Sequence, residues 1–129
     1  MPRKKPLILL VEDQSDLRQL YAQQLEQSGF DVIEAGNGAD ALVHTAEHVP
    51  DVVLMDLSLP ILDGWEATRT IKSDAKLRRI PIIAVTAHAA KEDWDGIRAA
   101  GCDSFLAKPV DEKALFDALQ HYLGVPAGA

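Results

Sequence analysis

A chain of 129 residues has room for one hydrophobic core of ordinary size but not for a second folded unit. Its 13 basic and 20 acidic residues give a net charge of −7, which argues against a nucleic-acid surface, because phosphate contacts need clustered lysine and arginine. The apolar run at 7–11 is too short for a signal peptide or a membrane span. We therefore expect a cytoplasmic single-domain protein that binds neither nucleic acid nor membrane.

The cysteine and histidine content predicts neither a disulfide nor a zinc site. Cys102 is the only cysteine, so it cannot form an internal disulfide, and no histidine lies near it at ligand spacing. The four histidines are scattered along the sequence, and we expect none of them to bind a metal: His44, His48, His88 and His121.

Five apolar segments alternate with five amphipathic segments along the chain. The apolar segments predict strands at 7–11, 32–33, 52–56, 80–85 and 104–107. The amphipathic segments predict helices that begin near Ser15, Gly38, Gly64, Lys91 and Asp111. This alternation predicts right-handed βαβ crossovers and a flavodoxin-like, doubly wound (βα)5 fold with the parallel strand order 2-1-3-4-5.

The helices should differ in their ends and in their stability. We expect Asp13 or Ser15 to cap the first helix, and Asp111 to cap the last. The fourth helix should be the weakest, because it carries Gly96 in its interior and few large apolar side chains. The expected inward faces of the first two helices are Leu17, Leu20, Tyr21 and Leu25, and Ala41, Leu42, Thr45 and Ala46. Residues 1–6 and 124–129 are expected to be tails.

Four of the predicted strands end at polar side chains. Glu12 and Asp13 follow the first strand, Asp56 closes the third, Thr86 closes the fourth and Lys108 follows the fifth. Each alone has a simple explanation as a helix cap, a turn residue or a surface charge. However, the carboxyl ends of parallel strands meet at one edge of the sheet, where open α/β folds bind their ligands. We therefore expect these side chains to converge.

Three carboxylates held close together repel one another, so the predicted cluster requires a cation. Lys108 offsets one negative charge. The remaining oxygen ligands, with no soft donor among them, favour a hard divalent ion, and their small number favours Mg²⁺ over Ca²⁺. With Mg²⁺, a lysine and a hydroxyl nearby, the ionised carboxylate of Asp56 is suited to accept a phosphoryl group and form a labile acyl phosphate.

This set of residues resembles the receiver domain of two-component response regulators, over about 7–123. The resemblance rests on Glu12-Asp13, on Asp56 followed by Pro60 and Gly64, on Thr86-Ala87, on Phe105 and on Lys108-Pro109. It implies a signalling switch, stand-alone in form, that catalyses only its own phosphorylation and dephosphorylation. The donor would be a histidine kinase or a histidine phosphotransfer protein.

The resemblance also implies a role for each site residue. Asp56 would be the phosphoacceptor. The Mg²⁺ ligands would be Asp13, Asp56, the backbone carbonyl of Ser58 and, through water, Glu12. The phosphoryl group would be held by Thr86, the backbone of Ala87 and Lys108.

The resemblance further implies which residues transmit the signal and which set the lifetime of the phosphorylated state. Thr86 and Phe105 would form the switch, while Ser58 and His88 would tune the lifetime of the phosphorylated state. Lys108-Pro109 would be a cis peptide bond. A downstream protein would bind the face formed by the fourth helix, fifth strand and fifth helix, and the protein would be a monomer or weak dimer.

Two other interpretations remain open at this point. A haloacid-dehalogenase-like phosphatase or phosphotransferase would also use an aspartyl phosphate, but its motif needs an aspartate at the position of Ser58, and the chain has no cap domain. A flavodoxin-like carrier would need a flavin-phosphate loop, which is not evident.

Overall fold

The computed structural model of the chain describes residues 5–87 and 91–123, without the side chains of residues 91 and 92. The strands are β1 (Leu7–Val11), β2 (Asp31–Ala35), β3 (Val52–Asp56), β4 (Ile82–Thr86) and β5 (Ser104–Ala107). The helices are α1 (Ser15–Gln27), α2 (Gly38–His48), α3 (Gly64–Ser73), α4 (Lys91–Ala100) and α5 (Glu112–Leu123). All paired strands are parallel, in the order β2-β1-β3-β4-β5, which confirms the predicted topology.

The sheet is covered by helices on both faces. Every residue of β1, β3 and β4 is buried, as expected for continuous apolar runs that do not alternate with polar residues. The neighbouring residues Ile8 and Leu9 belong to two different apolar clusters, because successive side chains of a strand point to opposite faces. The core therefore has two layers that hold the central strands in place.

Some local predictions for the first two helices are wrong. Neither Asp13 nor Ser15 caps α1, since the cap residue is Gln14, whose side chain makes no capping hydrogen bond. Instead the Gln14 backbone N–H donates to the Glu12 carboxylate at 3.1 Å. Leu20 is 47% exposed and Ala46 is also exposed, because the buried faces of α1 and α2 are narrower than the apolar pattern suggested.

The predicted cap of the last helix is confirmed, whereas the predicted start of the fourth strand is wrong. The Asp111 side chain accepts a hydrogen bond from the Ala114 N–H at 3.1 Å at the start of α5. Strand β4 begins at Ile82, two residues later than predicted, because Pro81 has no N–H to give to the strand ladder.

Cys102 is buried, and burial raises the pKa of its thiol, so this thiol is poorly reactive. No helix in the described part of the chain is long and apolar enough to cross a bilayer.

The segment after β3 turns back tightly onto the end of that strand. The Gly64 N–H donates to the carbonyl of Leu57 at 3.2 Å, and a Cβ at Gly64 would overlap the backbone carbonyl of Asp56. Glycine is therefore required here for close approach of two backbones. This contact fixes the start of α3 against the carboxyl end of β3.

We expect Gly64→Ala to lower the free energy of unfolding by about 1–3 kcal/mol, because the added methyl group must displace backbone. Gly96→Ala is the matched control. A Cβ at Gly96 would lie in ordinary contact with Trp65, at 3.9 Å, and would raise the helix propensity of α4, so stability should rise by about 0.5–1 kcal/mol. Urea unfolding followed by circular dichroism measures both values, and equal changes for the two variants would contradict the steric argument.

Candidate functional site

The carboxyl ends of the strands bring the predicted acidic residues together. In the sheet register Val11 pairs with Met55, so the residues that follow them, Glu12 and Asp56, are held side by side. Carboxylate oxygens of Glu12, Asp13 and Asp56 all lie within 4.8 Å of one another. The adjacent acids Glu12 and Asp13 and the distant Asp56 therefore form one cluster.

The cluster has a buried floor and an exposed rim. Glu12 is 2% exposed and Asp56 is 3% exposed, whereas Asp13 is exposed. Two carboxylates with so little access to water need a cation or hydrogen-bond donors close by. The exposed Asp13 leaves the cluster accessible from solvent.

Lys108 supplies a positive charge to both buried acids. Its Nζ atom lies 2.7 Å from Oε1 of Glu12 and 3.0 Å from Oδ2 of Asp56. Burial alone would lower the pKa of Lys108, but hydrogen bonds to Glu12 and Asp56 and their negative charges outweigh burial, so the pKa is raised above its ordinary value. The lysine is thus fixed in its charged form between the two acids.

The two oxygens of Asp56 have different partners. Oδ2 faces Lys108, while Oδ1 accepts a hydrogen bond from the backbone N–H of Ser58 at 2.9 Å. The Ser58 side chain is exposed at the rim. These contacts fix the orientation of the carboxylate, with one oxygen held by the backbone N–H of Ser58 and the other by the ammonium group of Lys108.

The donor set of this cluster fits Mg²⁺. It consists of carboxylate oxygens, and no cysteine or histidine is among the residues grouped with it in the described part of the chain. Hard oxygen ligands with room for water are the environment that Mg²⁺ prefers. The geometry therefore supports a magnesium site at the edge where the phosphoacceptor candidate lies.

Residues 8–120 match the protein family described as the response regulator receiver domain. The chain belongs to this family. Receiver domains are signalling switches of two-component systems, in which histidine kinases and downstream targets are the general partners, and they are not enzymes in the usual sense.

Individual relatives agree with this assignment. The chain is 40% identical over 117 residues to the polar-differentiation response regulator DivK of Brucella anthropi, covering 91% of this chain and 95% of the relative. It is 36% identical to the receiver domain of the sensor histidine kinase PA1611 from Pseudomonas aeruginosa, with a TM-score of 0.86 and coverage of 94% and 99%. That structure contains a magnesium ion coordinated in its active-site cleft. The chemotaxis protein CheY4 of Vibrio cholerae is 26% identical, with a TM-score of 0.87 and coverage of 92% and 99%.

The remaining candidate residues of this receiver domain lie at β4 and β5. Thr86 is buried at the end of β4, and its carbonyl accepts a hydrogen bond from the Lys108 N–H at 2.8 Å. Ala87 follows at an exposed position, and the Lys108-Pro109 peptide bond is cis. His88 lies outside the described residues.

Phe105 is half-buried on β5. It pairs with Ala84 in the sheet and packs into the same apolar cluster. Alternation along β4 places Thr86 on the same face as Ala84, so Thr86 and Phe105 share one side of the sheet. The ring of Phe105 lies 4.6 Å from the ring of Trp94 on α4, measured between centroids. This ring contact therefore connects Phe105, the candidate switch residue, to α4.

Arg18 contributes to the site and was not predicted from the sequence. Its Nη1 atom donates to the backbone carbonyl of Glu12 at 2.8 Å, and its Nε atom pairs with Glu34 on β2 at 3.2 Å. Arg18 thus anchors the segment directly after β1, which carries Glu12 and Asp13. No local pattern in the sequence signals this contact, because it depends on how α1 packs beside the sheet.

Proposed function

We propose that this receiver domain accepts a phosphoryl group on Asp56 from a phosphohistidine of a histidine kinase or phosphotransfer protein in the cytoplasm. The observation that carries the proposal is the pairing of one lysine with both buried acids, 2.7 and 3.0 Å away, beside an exposed third acid. A purely structural ion pair would not need the third carboxylate, which adds repulsion.

The chain's own residues suit an in-line transfer. A carboxylate is a nucleophile at neutral pH and needs no general base. The hydrogen bond from the Ser58 N–H orients the carboxylate of Asp56. Lys108 already contacts this carboxylate, so it can move to a phosphoryl oxygen without leaving the cleft. The Thr86 hydroxyl and the backbone N–H of Ala87 would hold the other phosphoryl oxygens.

Asp13, Asp56 and the backbone carbonyl of Ser58 would hold Mg²⁺ directly, and Glu12 would act through water. When bound, the ion neutralises negative charge on the phosphoryl oxygens. The magnesium ion in the 36% identical receiver domain from Pseudomonas aeruginosa supports this part of the proposal.

Asp13→Asn tests the metal requirement. We expect phosphoramidate with Mg²⁺ to add one phosphoryl group to the wild-type protein, and EDTA to prevent this addition. Asp13 is exposed, so the variant should fold normally but react at least about tenfold more slowly, because one anionic ligand of the ion is lost. Intact mass against time gives the rates. Equal rates with Mg²⁺ and with EDTA would contradict the proposed metal site.

The proposed signal passes from Thr86 through Phe105 to the face formed by α4, β5 and α5, where a downstream protein would bind. If the Thr86 side chain moves toward the phosphoryl group, it vacates space that Phe105 can fill by turning inward. That movement would change the 4.6 Å contact between Phe105 and Trp94. Ser58 and His88 would flank the path of attacking water and so set the lifetime of the acyl phosphate, with the receiver a monomer or weak dimer.

Thr86→Ala should uncouple phosphorylation from this signal. In a Trp65→Phe background, which leaves Trp94 as the only tryptophan, beryllofluoride with Mg²⁺ should change the fluorescence intensity. The Thr86→Ala variant should lose most of that change yet still be phosphorylated, because the hydroxyl stabilises only the switched state. Thr70→Ala, at an exposed position on α3, is the control and should behave like the background protein. A full response in Thr86→Ala would refute the coupling.

A further inference from the structure

A second group of side chains of the metal-ligand type lies on α2, away from the acidic cleft. Ligand atoms of His44, Glu47 and His48 all lie within 4.8 Å of one another. The sequence-based expectation that the histidines are scattered is wrong for His44 and His48. Residues four apart face the same side of a helix, and this spacing alone brings the two rings together.

The two imidazole rings are arranged side by side. Their centroids are 5.8 Å apart and their planes differ by 28°. The Glu47 carboxylate lies 3.8 Å from Nε2 of His48. The side chains of His48 and Glu47 are 45% and 63% exposed, so both can change rotamer without disturbing the core. The helix beneath is anchored by the buried residues Ala41 and Thr45.

We propose that His44, His48 and Glu47 bind a late first-row transition-metal ion of the Zn²⁺ type. Imidazole nitrogen suits zinc, copper and nickel, whereas Mg²⁺ prefers oxygen ligands. Two nitrogens on a tetrahedral zinc ion are about 3.4 Å apart, given bonds of about 2.0–2.1 Å. Rotation of the exposed His48 and Glu47 side chains can close the present group to that distance. Water would complete the coordination.

The metal should be held less tightly than in a fully supported site. Nδ1 of His44 is buried and has no hydrogen-bond partner among the residues that the structure describes. In tightly bound sites, the second nitrogen of a ligating histidine donates to a carboxylate or a carbonyl, and loss of that support weakens binding about 10- to 100-fold. The site should therefore fill at elevated metal concentrations.

The site is separated from the acidic cleft by the length of a helix. Strand β2 ends at the cleft edge of the sheet, and α2 then runs back to the opposite edge, where β3 begins. His48 is the last residue of α2. Metal bound there would tie together the final turn of α2 without occupying the proposed Mg²⁺ site.

The test uses the untagged protein in millimolar MgCl2, so that Mg²⁺ competes for the acidic cleft. Addition of ZnCl2 should raise the Tm of the wild-type protein by about 5 °C once zinc exceeds its dissociation constant about tenfold. His44→Gln and His48→Gln should each remove this rise. His121→Gln, an exposed position on α5, is the matched control and should keep it.

Histidine-ring NMR resonances provide a second readout that does not depend on any variant. Zinc should shift or broaden the resonances of His44 and His48 and leave those of His88 and His121 unchanged. Two results would overturn the proposal: a wild-type Tm that does not respond to zinc, or a rise that persists in His48→Gln. Selective loss of the rise in His44→Gln and His48→Gln, with matching ring shifts, would establish it.

Discussion

Replacement of Lys108 by methionine should destabilise the protein more than removal of the negative charge of Asp13 or of Asp56. Methionine keeps the length of the aliphatic stem, so the change removes mainly the charge. Glu12 and Asp56, 2% and 3% exposed, would then face each other without a cation. Removing one partner of a buried ion pair costs about 3–5 kcal/mol, and the partial exposure of Lys108 places the expected loss near the lower value, about 3 kcal/mol.

The measurement is the free energy of unfolding in urea at neutral pH, with EDTA and again with Mg²⁺. The raised pKa of Lys108 means that its stabilising charge is fully present at neutral pH and is lost only as pH rises through that raised value. With Mg²⁺ the loss of unfolding free energy in Lys108→Met should be smaller, because the bound ion neutralises part of the negative charge of the acidic cluster.

The control for this experiment is Lys113→Met. Lys113 pairs with Asp117 at 3.7 Å on α5, and the two side chains are 86% and 64% exposed, so the change should stay within about 0.5 kcal/mol. If Lys108→Met and Lys113→Met lower stability equally, Lys108 does not neutralise the cleft as described.

Replacement of Asp56 by asparagine should abolish phosphorylation while leaving the protein folded. The side chain keeps its shape but loses the anionic oxygen that attacks phosphorus. Stability should change by less than about 1 kcal/mol, because relief of repulsion by Glu12 and Asp13 is offset by a weaker contact with Lys108. Lys108 would still hold Glu12 at 2.7 Å. Circular dichroism and thermal unfolding check the fold, and mass spectrometry checks the modification.

The strands and their order followed from the sequence because of one physical feature. Strands buried on both faces, such as β1 and β3, need uninterrupted apolar runs, and few other structures produce such runs of five residues bounded by polar breaks. Alternation with helices then restricted the topology to parallel crossovers. The convergence of Glu12 and Asp56 followed from that topology.

What the sequence left unpredicted depends on tertiary packing. To predict the contact of Arg18 with the Glu12 carbonyl, one must know the angle at which α1 packs on the sheet. To predict the exposure of Leu20, one must know how wide a face of α1 is buried. The proximity of His44 and His48 is different, since their spacing of four residues on a predicted helix was sufficient to predict it.

Mapping the phosphoryl group to a residue tests whether Asp56 is the phosphoacceptor. Wild-type protein and Asp56→Asn are incubated with phosphoramidate and Mg²⁺, and the modified residue is mapped by peptide mass spectrometry. We expect one phosphoryl group on wild-type protein, on the peptide that contains Asp56, and none on the variant. Modification of Asp56→Asn at the wild-type rate, at any other residue, would contradict it.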